Sequence, residues 1–159
     1  MEKCHFCKIK NIQSKIIFEN KSFYSIFDIH PVSPGHALVI PKRHVISLLD
    51  LTDEEWIDLK PAIKKTIKII ESTNLEKTYK EILNKNETKN VSKFCKSILS
   101  SKYLNKKPNG YNIGNNEGAT AGRTIHHLHI QIIPRFKGDV KNKTGGIRNI
   151  IPEKGDYKS

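Results

Sequence analysis

Apolar residues recur with two different periods along the chain, and those periods predict a mixture of strands and helices. Short apolar runs bounded by turn residues are typical of strands. Five such runs predict strands at 15–19, 23–28, 37–41, 111–114 and 126–134. The first two strands flank Asn20-Lys21, where a hairpin turn is expected, and the third follows the turn at Pro34-Gly35. These strands predict an antiparallel sheet.

Helical periodicity takes over between the third and fourth strands. Thr52 and Glu55 form a capping box, which marks the start of a helix. The apolar residues that follow at helical spacing are Trp56, Leu59, Ile63, Ile67 and Ile70. A second helical stripe consists of Val91, Phe94, Cys95, Ile98 and Leu99. The combined pattern predicts an α+β fold, in which an antiparallel sheet of about five strands carries helices mainly on one face.

The length of 159 residues fits one domain with a sizeable core. No apolar run approaches the ~20 residues that a membrane span needs, and no secretory signal is visible, so no membrane association is predicted. Three cysteines, two of them in Cys4-x-x-Cys7, fit a reducing compartment. A cytoplasmic location is therefore expected.

The net charge of +12 invites a nucleic-acid interpretation, because a clustered basic face can neutralise phosphates. Nine lysines and three glutamates lie in residues 75–107, so that this one segment holds +6 of the total. A lysine-rich outer face of an amphipathic helix accounts for such a concentration. The charge therefore does not predict specific nucleic-acid binding.

The last predicted strand carries the strongest candidates for chemistry. Side chains alternate between the two faces of a strand, so His127, His129 and Gln131 share one face while the residues between them are apolar. The apolar face should pack, which leaves the imidazoles facing a cleft or the solvent. Two imidazoles about 7 Å apart can serve as a nucleophile with an orienting partner, or as metal ligands.

A loop rich in small and Asx residues, 115–124, leads into this strand. Backbone amides around Gly118 and Gly122, the Asn116 amide and the Thr124 hydroxyl are candidate donors to an anion. A strand that carries imidazoles and is entered from such a loop suggests phosphate chemistry.

A second chemical cluster is Cys4-His5-Phe6-Cys7. By itself a C-x-x-C can be a redox pair, half of a metal site or a coincidence. No βαβ pattern of the thioredoxin kind surrounds it, and tetrahedral zinc needs two further nitrogen or sulfur ligands. Cys95, the third cysteine, is expected to be a small buried hydrophobe.

Two segments of the chain resemble the histidine triad (HIT) superfamily. Gly122-Arg-Thr, followed by His127-Leu-His-Ile-Gln131 and then by Ile-Ile-Pro-Arg135, is similar to the family signature. Phe27-Asp-Ile-His-Pro-Val-Ser-Pro-Gly-His36 and the strand after it resemble the family's first half, and Asn116-Glu-Gly118 fits its loop. The two motifs occur in the family's order, and the resemblance covers roughly residues 4–72 and 108–136.

The resemblance implies an enzyme that acts on a nucleoside phosphoramidate, an adenylate or a dinucleoside polyphosphate. In this scheme His129 attacks the α-phosphate to give a covalent nucleotidyl-histidine, His127 helps to hold the ring, and Asn116 and Thr124 are donors to the phosphate. No catalytic metal is required. Many family hydrolases carry histidine in place of Gln131, and the glutamine form resembles the nucleotidyl-transferring branches.

A nucleotide hydrolase is therefore the first expectation. Its alternatives are a nucleotidyl transferase or dinucleoside polyphosphate phosphorylase, and a nucleotide-binding adaptor without turnover. The implied substrate is a purine nucleotide, with adenosine as the expected nucleoside. Asp28 would accept hydrogen bonds from the ribose hydroxyls. The full set of implied nucleotide contacts is Ile26, Phe27, Asp28, Ile29, His36, Asn116, Gly122, Thr124, His129 and Gln131.

Family members with an N-terminal C-x-x-C bind structural zinc, and the ligands that the resemblance implies here are Cys4, Cys7, His44 and His127. Family members commonly form two-fold dimers, so a homodimer is implied as well. In this interpretation the catalytic domain spans 1–136 and the C-terminal tail spans 137–159. A lysine-rich, partly helical insertion interrupts the domain at about 74–107, where relatives pass almost directly to the next strand.

Overall fold

The computed structural model describes residues 4–85 and 88–156. Its helices are α1 (His5–Ile9), α2 (Asp53–Ser72), α3 (Leu75–Lys85), α4 (Lys89–Leu99) and α5 (Pro152–Gly155). Its strands are β1 (Phe18–Glu19), β2 (Phe23–Phe27), β3 (Ala37–Pro41), β4 (Gly110–Gly114) and β5 (Ile130–Arg135). Short 3₁₀ turns lie at Gln13–Lys15, Leu48–Asp50 and Gly146–Ile150.

The strands form one five-stranded sheet in the order β1-β2-β3-β5-β4, and every neighbouring pair is antiparallel. In the central pair, Leu38 lies opposite Gln131, and on the next strand Gly114 lies opposite Gln131. The hairpin between β1 and β2 turns at Asn20, whose side-chain oxygen accepts hydrogen bonds from two following backbone amides. The predicted α+β fold and its antiparallel sheet are confirmed.

The two faces of the sheet bury different partners. One face, which includes Phe23, Val39 and Ile132, packs against α2, α3 and α4 to form the larger core. The opposite face carries a smaller cluster around Ile26 and Ile40, which α1 covers. Helices therefore lie mainly on one face, as the sequence predicted, and the opposite face remains available for a site.

Two strands begin several residues after their predicted start, and the bounds of the other three agree to within one residue. β1 begins at Phe18, three residues later than predicted, and Lys15 belongs to the 3₁₀ turn Gln13–Lys15. β5 begins at Ile130, four residues later than predicted, because the chain ahead of it bonds elsewhere. The Leu128 amide donates to the Val45 carbonyl at 2.7 Å and does not join the sheet ladder. The candidate histidines therefore lie on the approach to the strand.

The lysine-rich segment contains α3 and α4, which pack against each other. The buried residues of α4 are Val91, Cys95 and Ile98, which are members of the predicted helical stripe. The domain bounds of 1–136, 74–107 and 137–159 stay predictions, and residues 1–3, 86–87 and 157–159 of these ranges lie outside the described residues.

Within the described part of the chain, no helix combines the length and the apolar character that crossing a bilayer would require. The cytoplasmic location stays a prediction.

The capping box of α2 is tied to a neighbouring loop by an ion pair. Thr52 and Glu55 exchange the two bonds of the box, and the Glu55 carboxylate also receives the Arg43 guanidinium at 2.7 and 2.9 Å. Glu55 is 8% exposed. These bonds, with that of Arg43 foremost, hold the pKa of Glu55 below its usual range.

Glu55→Gln should lower the free energy of unfolding by about 1–2 kcal/mol at pH 7. Because the folded pKa is depressed, the carboxylate's contribution is present above its unfolded pKa and is lost as the pH falls through the folded value. Urea unfolding should be measured at pH 7 and at about pH 3. The free energy of unfolding should differ clearly between wild type and variant at the higher pH only. Asp53→Asn, an exposed carboxylate in the same turn, is the control; an equal, pH-independent loss in both variants would contradict the prediction.

Candidate functional site

The residues ahead of β5 meet the N-terminal C-x-x-C at one end of the sheet. Cys4 Sγ lies 3.3 Å from His127 Nδ1, and Cys7 Sγ lies 3.6 Å from the same nitrogen. Cys7 Sγ also lies 3.4 Å from His44 Nδ1. The four candidate ligand atoms of Cys4, Cys7, His44 and His127 all fall within 4.8 Å of one another. The structure thus brings together all four residues implied as zinc ligands.

This donor set fits zinc. A tetrahedral ion with Zn–S of 2.3 Å and Zn–N of 2.0–2.1 Å holds its sulfur and nitrogen ligands about 3.6 Å apart. Three of the four sulfur–nitrogen pairs here are separated by 3.3–3.6 Å, and the fourth lies within 4.8 Å. Burial and the neighbouring Cys4 raise the pKa of the Cys7 thiol, so a cation would supply the charge that stabilises the thiolate. The group can hold a metal, and its two sulfur and two nitrogen donors suit a closed structural site.

The sequence predicted that His127 faces a cleft or the solvent, and the structure differs. Its side chain is fully buried beneath α1, and its Nε2 lies 2.9 Å from the Pro41 carbonyl. Because a carbonyl only accepts hydrogen bonds, Nε2 carries the hydrogen. Nδ1 therefore has a free lone pair, which faces the two cysteines. Burial lowers the pKa of His127, which keeps the ring neutral, as a metal ligand must be. The alternation of the strand does not extend to this residue because β5 starts only at Ile130.

His129 is half-buried and lies on the approach to β5. Its Nδ1 is 2.8 Å from the backbone carbonyl of His127. Since the carbonyl can only accept, Nδ1 is the protonated nitrogen and Nε2 keeps a free lone pair. The Phe6 ring packs 5.4 Å from the His129 ring, centroid to centroid. The arrangement fixes both the tautomer and the orientation that a nucleophilic imidazole needs.

His36 and Asp28 lie beside this histidine. His36 is 2% exposed, and its Nδ1 accepts from the Val32 amide and lies 3.6 Å from an Asp28 carboxylate oxygen. Among the described residues, His36 Nε2 has no hydrogen-bond partner. Burial lowers the pKa of His36, while Asp28 and Gln131 partly offset that effect and His129 adds to it. A neutral buried imidazole therefore stands close to the two triad residues His129 and Gln131.

Three of the implied nucleotide contacts are apolar, namely Ile26, Phe27 and Ile29, and they do not pack in one cluster. Ile26 belongs to the cluster on the α1 side of the sheet, the side that also carries Leu38 and Gln131. Phe27 joins the core on the helix side, and Ile29 packs against that core. Side chains alternate along β2, so Ile26 and Phe27 point to opposite faces of the sheet. The assignment of the three residues to the nucleotide site stays a prediction.

The loop before the histidines is closed by its own hydrogen bonds. Asn116 Nδ2 donates to the Gly122 carbonyl at 3.2 Å, and the Gly122 amide donates to the Ala119 carbonyl at 2.9 Å. Gly118 and Gly122 have φ of +97° and +91°, a region that favours glycine. The Gly122 amide is thus already engaged and is not one of the free backbone donors that the sequence suggested. Thr124 is exposed at the end of this loop.

Two charged residues anchor that loop, and the sequence assigned them no role. The Glu117 carboxylate accepts from the Leu48 amide at 3.1 Å and from the Arg123 guanidinium at 3.3 Å. Arg123 also donates to the Ile46 carbonyl at 3.2 Å. The Leu48 amide, followed by other donors, holds the pKa of Glu117 below its usual range. The only available signal was that two opposite charges flank one glycine-rich loop.

Phe6, between the two cysteines, is the third residue whose role the sequence did not indicate. It is 3% exposed, its ring contacts both His127 and His129, and its carbonyl accepts from the Tyr24 hydroxyl at 2.7 Å. Its position between Cys4 and Cys7 was a usable signal, because any residue that contacts both cysteines also lies near Phe6.

Comparison with known proteins matches the HIT domain model to residues 9–138. A HIT-like protein of Methanocaldococcus jannaschii is 29% identical over 150 residues, which is 92% of this chain and 91% of that protein. The AP-4-A phosphorylase of Mycobacterium tuberculosis is 30% identical over 149 residues. The match covers 92% of this chain but only 60% of the phosphorylase. An adenosine 5'-monophosphoramidase of Candida albicans is 29% identical over 83% of this chain and 70% of that enzyme.

Among solved structures, a zinc-bound histidine triad family protein from Mycobacterium smegmatis superposes with a TM-score of 0.58 and 26% identity. The superposition covers 86% of this chain and 78% of the other. The matched region contains both histidines, the glycine-rich loop and the Asp28–His36 segment. The chain therefore belongs to the HIT domain family.

Proposed function

We propose that the protein is a nucleotide hydrolase that cleaves at the α-phosphate of a nucleoside phosphoramidate, an adenylate or a dinucleoside polyphosphate. The observation that carries the proposal is the 2.8 Å bond from His129 Nδ1 to the His127 carbonyl. It leaves the lone pair of Nε2 available for attack and gives the ring a partner for the positive charge that develops during attack.

In the first step Nε2 of His129 forms a bond to the α-phosphorus, and the bond from phosphorus to the leaving group breaks with its electron pair. The leaving group takes up a proton from the solvent, and the nucleotide remains on His129. Water then attacks the same phosphorus, its proton passes to the solvent, and the bond to Nε2 breaks to restore the imidazole. Splitting one displacement into two lowers each barrier.

Three residues are proposed to stabilise the charge on the phosphoryl oxygens. Gln131, Asn116 and Thr124 carry amide or hydroxyl donors, and preorganised donors of this kind are typically worth about 3 kcal/mol each. Gly122 contributes through the shape of its loop, because its amide already donates to Ala119. The buried Nε2 of His36 has no hydrogen-bond partner among the described residues. Because Gln131 is a neighbour of His36, Nε2 is proposed as a further donor to the phosphate.

The proposed nucleoside site is the Asp28–His36 segment. Asp28 accepts from the ribose hydroxyls, and Ile26 contributes an apolar wall on the same face of the sheet as Gln131. A purine nucleotide, with adenosine as the nucleoside, is supported by the names of the phosphorylase and phosphoramidase relatives. We also propose the two-fold dimer that the family resemblance implies.

Cys4, Cys7, His44 and His127 are proposed to hold a structural zinc ion. Bound zinc supplies a cross-link between α1 and the two histidines, with no open position for water. His127 Nδ1 faces the cysteines, and the His127 backbone carbonyl accepts the hydrogen bond that orients the His129 ring. This residue therefore positions the nucleophile without touching the substrate, and no catalytic metal takes part.

A nucleotidyl transferase or dinucleoside polyphosphate phosphorylase is the second candidate, favoured by Gln131. A glutamine amide donates a hydrogen bond but cannot act as an acid near neutral pH. The nucleotidyl-histidine would then persist until phosphate or another acceptor attacks it. The AP-4-A phosphorylase relative supports this alternative.

The test is intact-mass spectrometry after a rapid quench in alkaline denaturant, in which a phosphorus–nitrogen bond to histidine is stable, with adenosine phosphoramidate and a diadenosine polyphosphate as substrates. We expect a mass increase of one adenylyl group that maps to the peptide containing His129. Decay of this adduct in water alone supports the hydrolase, whereas persistence in water and loss on adding phosphate supports the phosphorylase. Nucleotide binding without adduct or turnover would leave only the adaptor alternative.

A further inference from the structure

The lysine-rich helices α3 and α4 support the segment that carries Asp28 and His36. Tyr79 on α3 is fully buried, and its hydroxyl oxygen accepts from the Gly35 amide at 3.0 Å. Gly35 has a φ of +85°, and a Cβ there would lie 2.7 Å from a methyl group of Ile70 on α2. The turn that precedes His36 therefore lies directly on the helices.

A second contact comes from α4. The Phe94 ring meets the His30 ring edge-on, with centroids 5.4 Å apart and an interplanar angle of 89°. The His30 amide in turn donates to an Asp28 carboxylate oxygen at 2.8 Å. Phe94 therefore touches the residue whose backbone fixes one side of the Asp28 carboxylate.

The Tyr79 hydroxyl matters because its partner is buried. An amide that loses its acceptor away from water costs the full desolvation of that group, so the turn would shift to recover a partner. Burial, together with the nearby Asp28 carboxylate, raises the pKa of the Tyr79 phenol, so the group acts as a neutral hydroxyl. One buried hydrogen bond and one ring contact thus join two helices to a single short segment.

We propose that Tyr79 and Phe94 are positioning residues that hold the Asp28–His36 segment in the geometry that binds the ribose of a nucleotide. The inference rests on the proposed function, in which Asp28 accepts from the ribose hydroxyls. It gives the helical pair α3–α4 a role in the recognition of ribonucleotides. Neither residue takes part in the chemical step.

The test compares the binding of AMP and of 2',3'-dideoxy-AMP by calorimetry in the wild type, Tyr79→Phe and Phe94→Leu. We expect each variant to bind AMP about three- to thirtyfold more weakly and to bind the dideoxy nucleotide as the wild type does. With adenosine phosphoramidate, the loss should fall on KM more than on kcat. Tyr111→Phe is the matched control, because it removes a tyrosine hydroxyl that bonds Glu71 and not this segment.

A merely structural role would weaken both nucleotides equally, because a distorted site loses contacts to the base and phosphate as well. Equal weakening, or unchanged affinity for AMP in both variants, would overturn the inference. If the wild type itself does not distinguish AMP from the dideoxy nucleotide, the assignment of Asp28 to ribose fails first. Should Tyr79→Phe not fold, Phe94→Leu decides the question, because its side chain is only partly buried.

Discussion

Replacing His129 with alanine should reduce the release of AMP from adenosine phosphoramidate by roughly four to six orders of magnitude, the loss typical of removing a nucleophile. The expected effect is this large because no described neighbour offers a second imidazole in the same orientation. His127 is fully buried with Nε2 bonded to the Pro41 carbonyl, and His36 is 2% exposed. Steady-state kinetics should show the loss of turnover, and mass spectrometry after the alkaline quench should show the loss of the adduct.

The matched control is His126→Ala, which removes an exposed imidazole from the same segment. This variant should keep turnover, adduct formation and affinity for AMP. His129→Ala should also keep most of its affinity for AMP, since Asp28 and Ile26 remain. Turnover that survives His129→Ala would disprove the covalent mechanism, whereas loss of AMP binding together with turnover would point to a collapsed site.

Removing the metal ligands should produce the largest loss of stability. A metal that binds only the folded state stabilises it by about 4 kcal/mol when its free concentration is a thousand times its dissociation constant. For a chain of this size that corresponds to a fall in Tm of roughly 10 °C. Native mass spectrometry should show one zinc ion in the wild type and none in the Cys4→Ser/Cys7→Ser variant. Thermal unfolding with and without a chelator should show the shift in the wild type alone.

His5→Ala is the control for this experiment, because His5 lies between the cysteines in sequence but is exposed. It should retain both the zinc ion and the wild-type Tm. A wild type that takes up no zinc from a zinc-containing buffer, and whose Tm ignores the chelator, would refute the metal site. Zinc that remains bound after both cysteines are replaced would place it at other ligands.

The elements that the sequence predicted well are those whose signals are local. The capping box of Thr52 and Glu55 marks the start of α2 because it depends on residues three positions apart. The hairpin at Asn20 follows equally from turn chemistry between two apolar runs. The antiparallel sheet then follows, because short connections between neighbouring strands leave few other arrangements.

The site was harder to predict wherever a residue's direction depends on distant packing. His127 shares the spacing of His129, but α1 covers it and Pro41 binds it, and neither contact leaves a mark in the local pattern. Phe27 was placed with Ile26 because the family resemblance groups neighbours that a strand sends to opposite faces. The hydrogen bond between Tyr79 and Gly35 joins residues 44 positions apart. The spacing of apolar residues within one helix or strand gives no information about a contact over that distance.

The double use of His127 has a thermodynamic consequence. Its Nδ1 faces the cysteines while its carbonyl accepts from His129, so one residue belongs both to the metal group and to the support of the nucleophile. Linkage makes any coupling between two binding sites reciprocal. If zinc improves the binding of the nucleotide by ordering His127, the nucleotide must improve the binding of zinc by the same factor. The occupied enzyme would then retain its metal at zinc concentrations that strip the empty one.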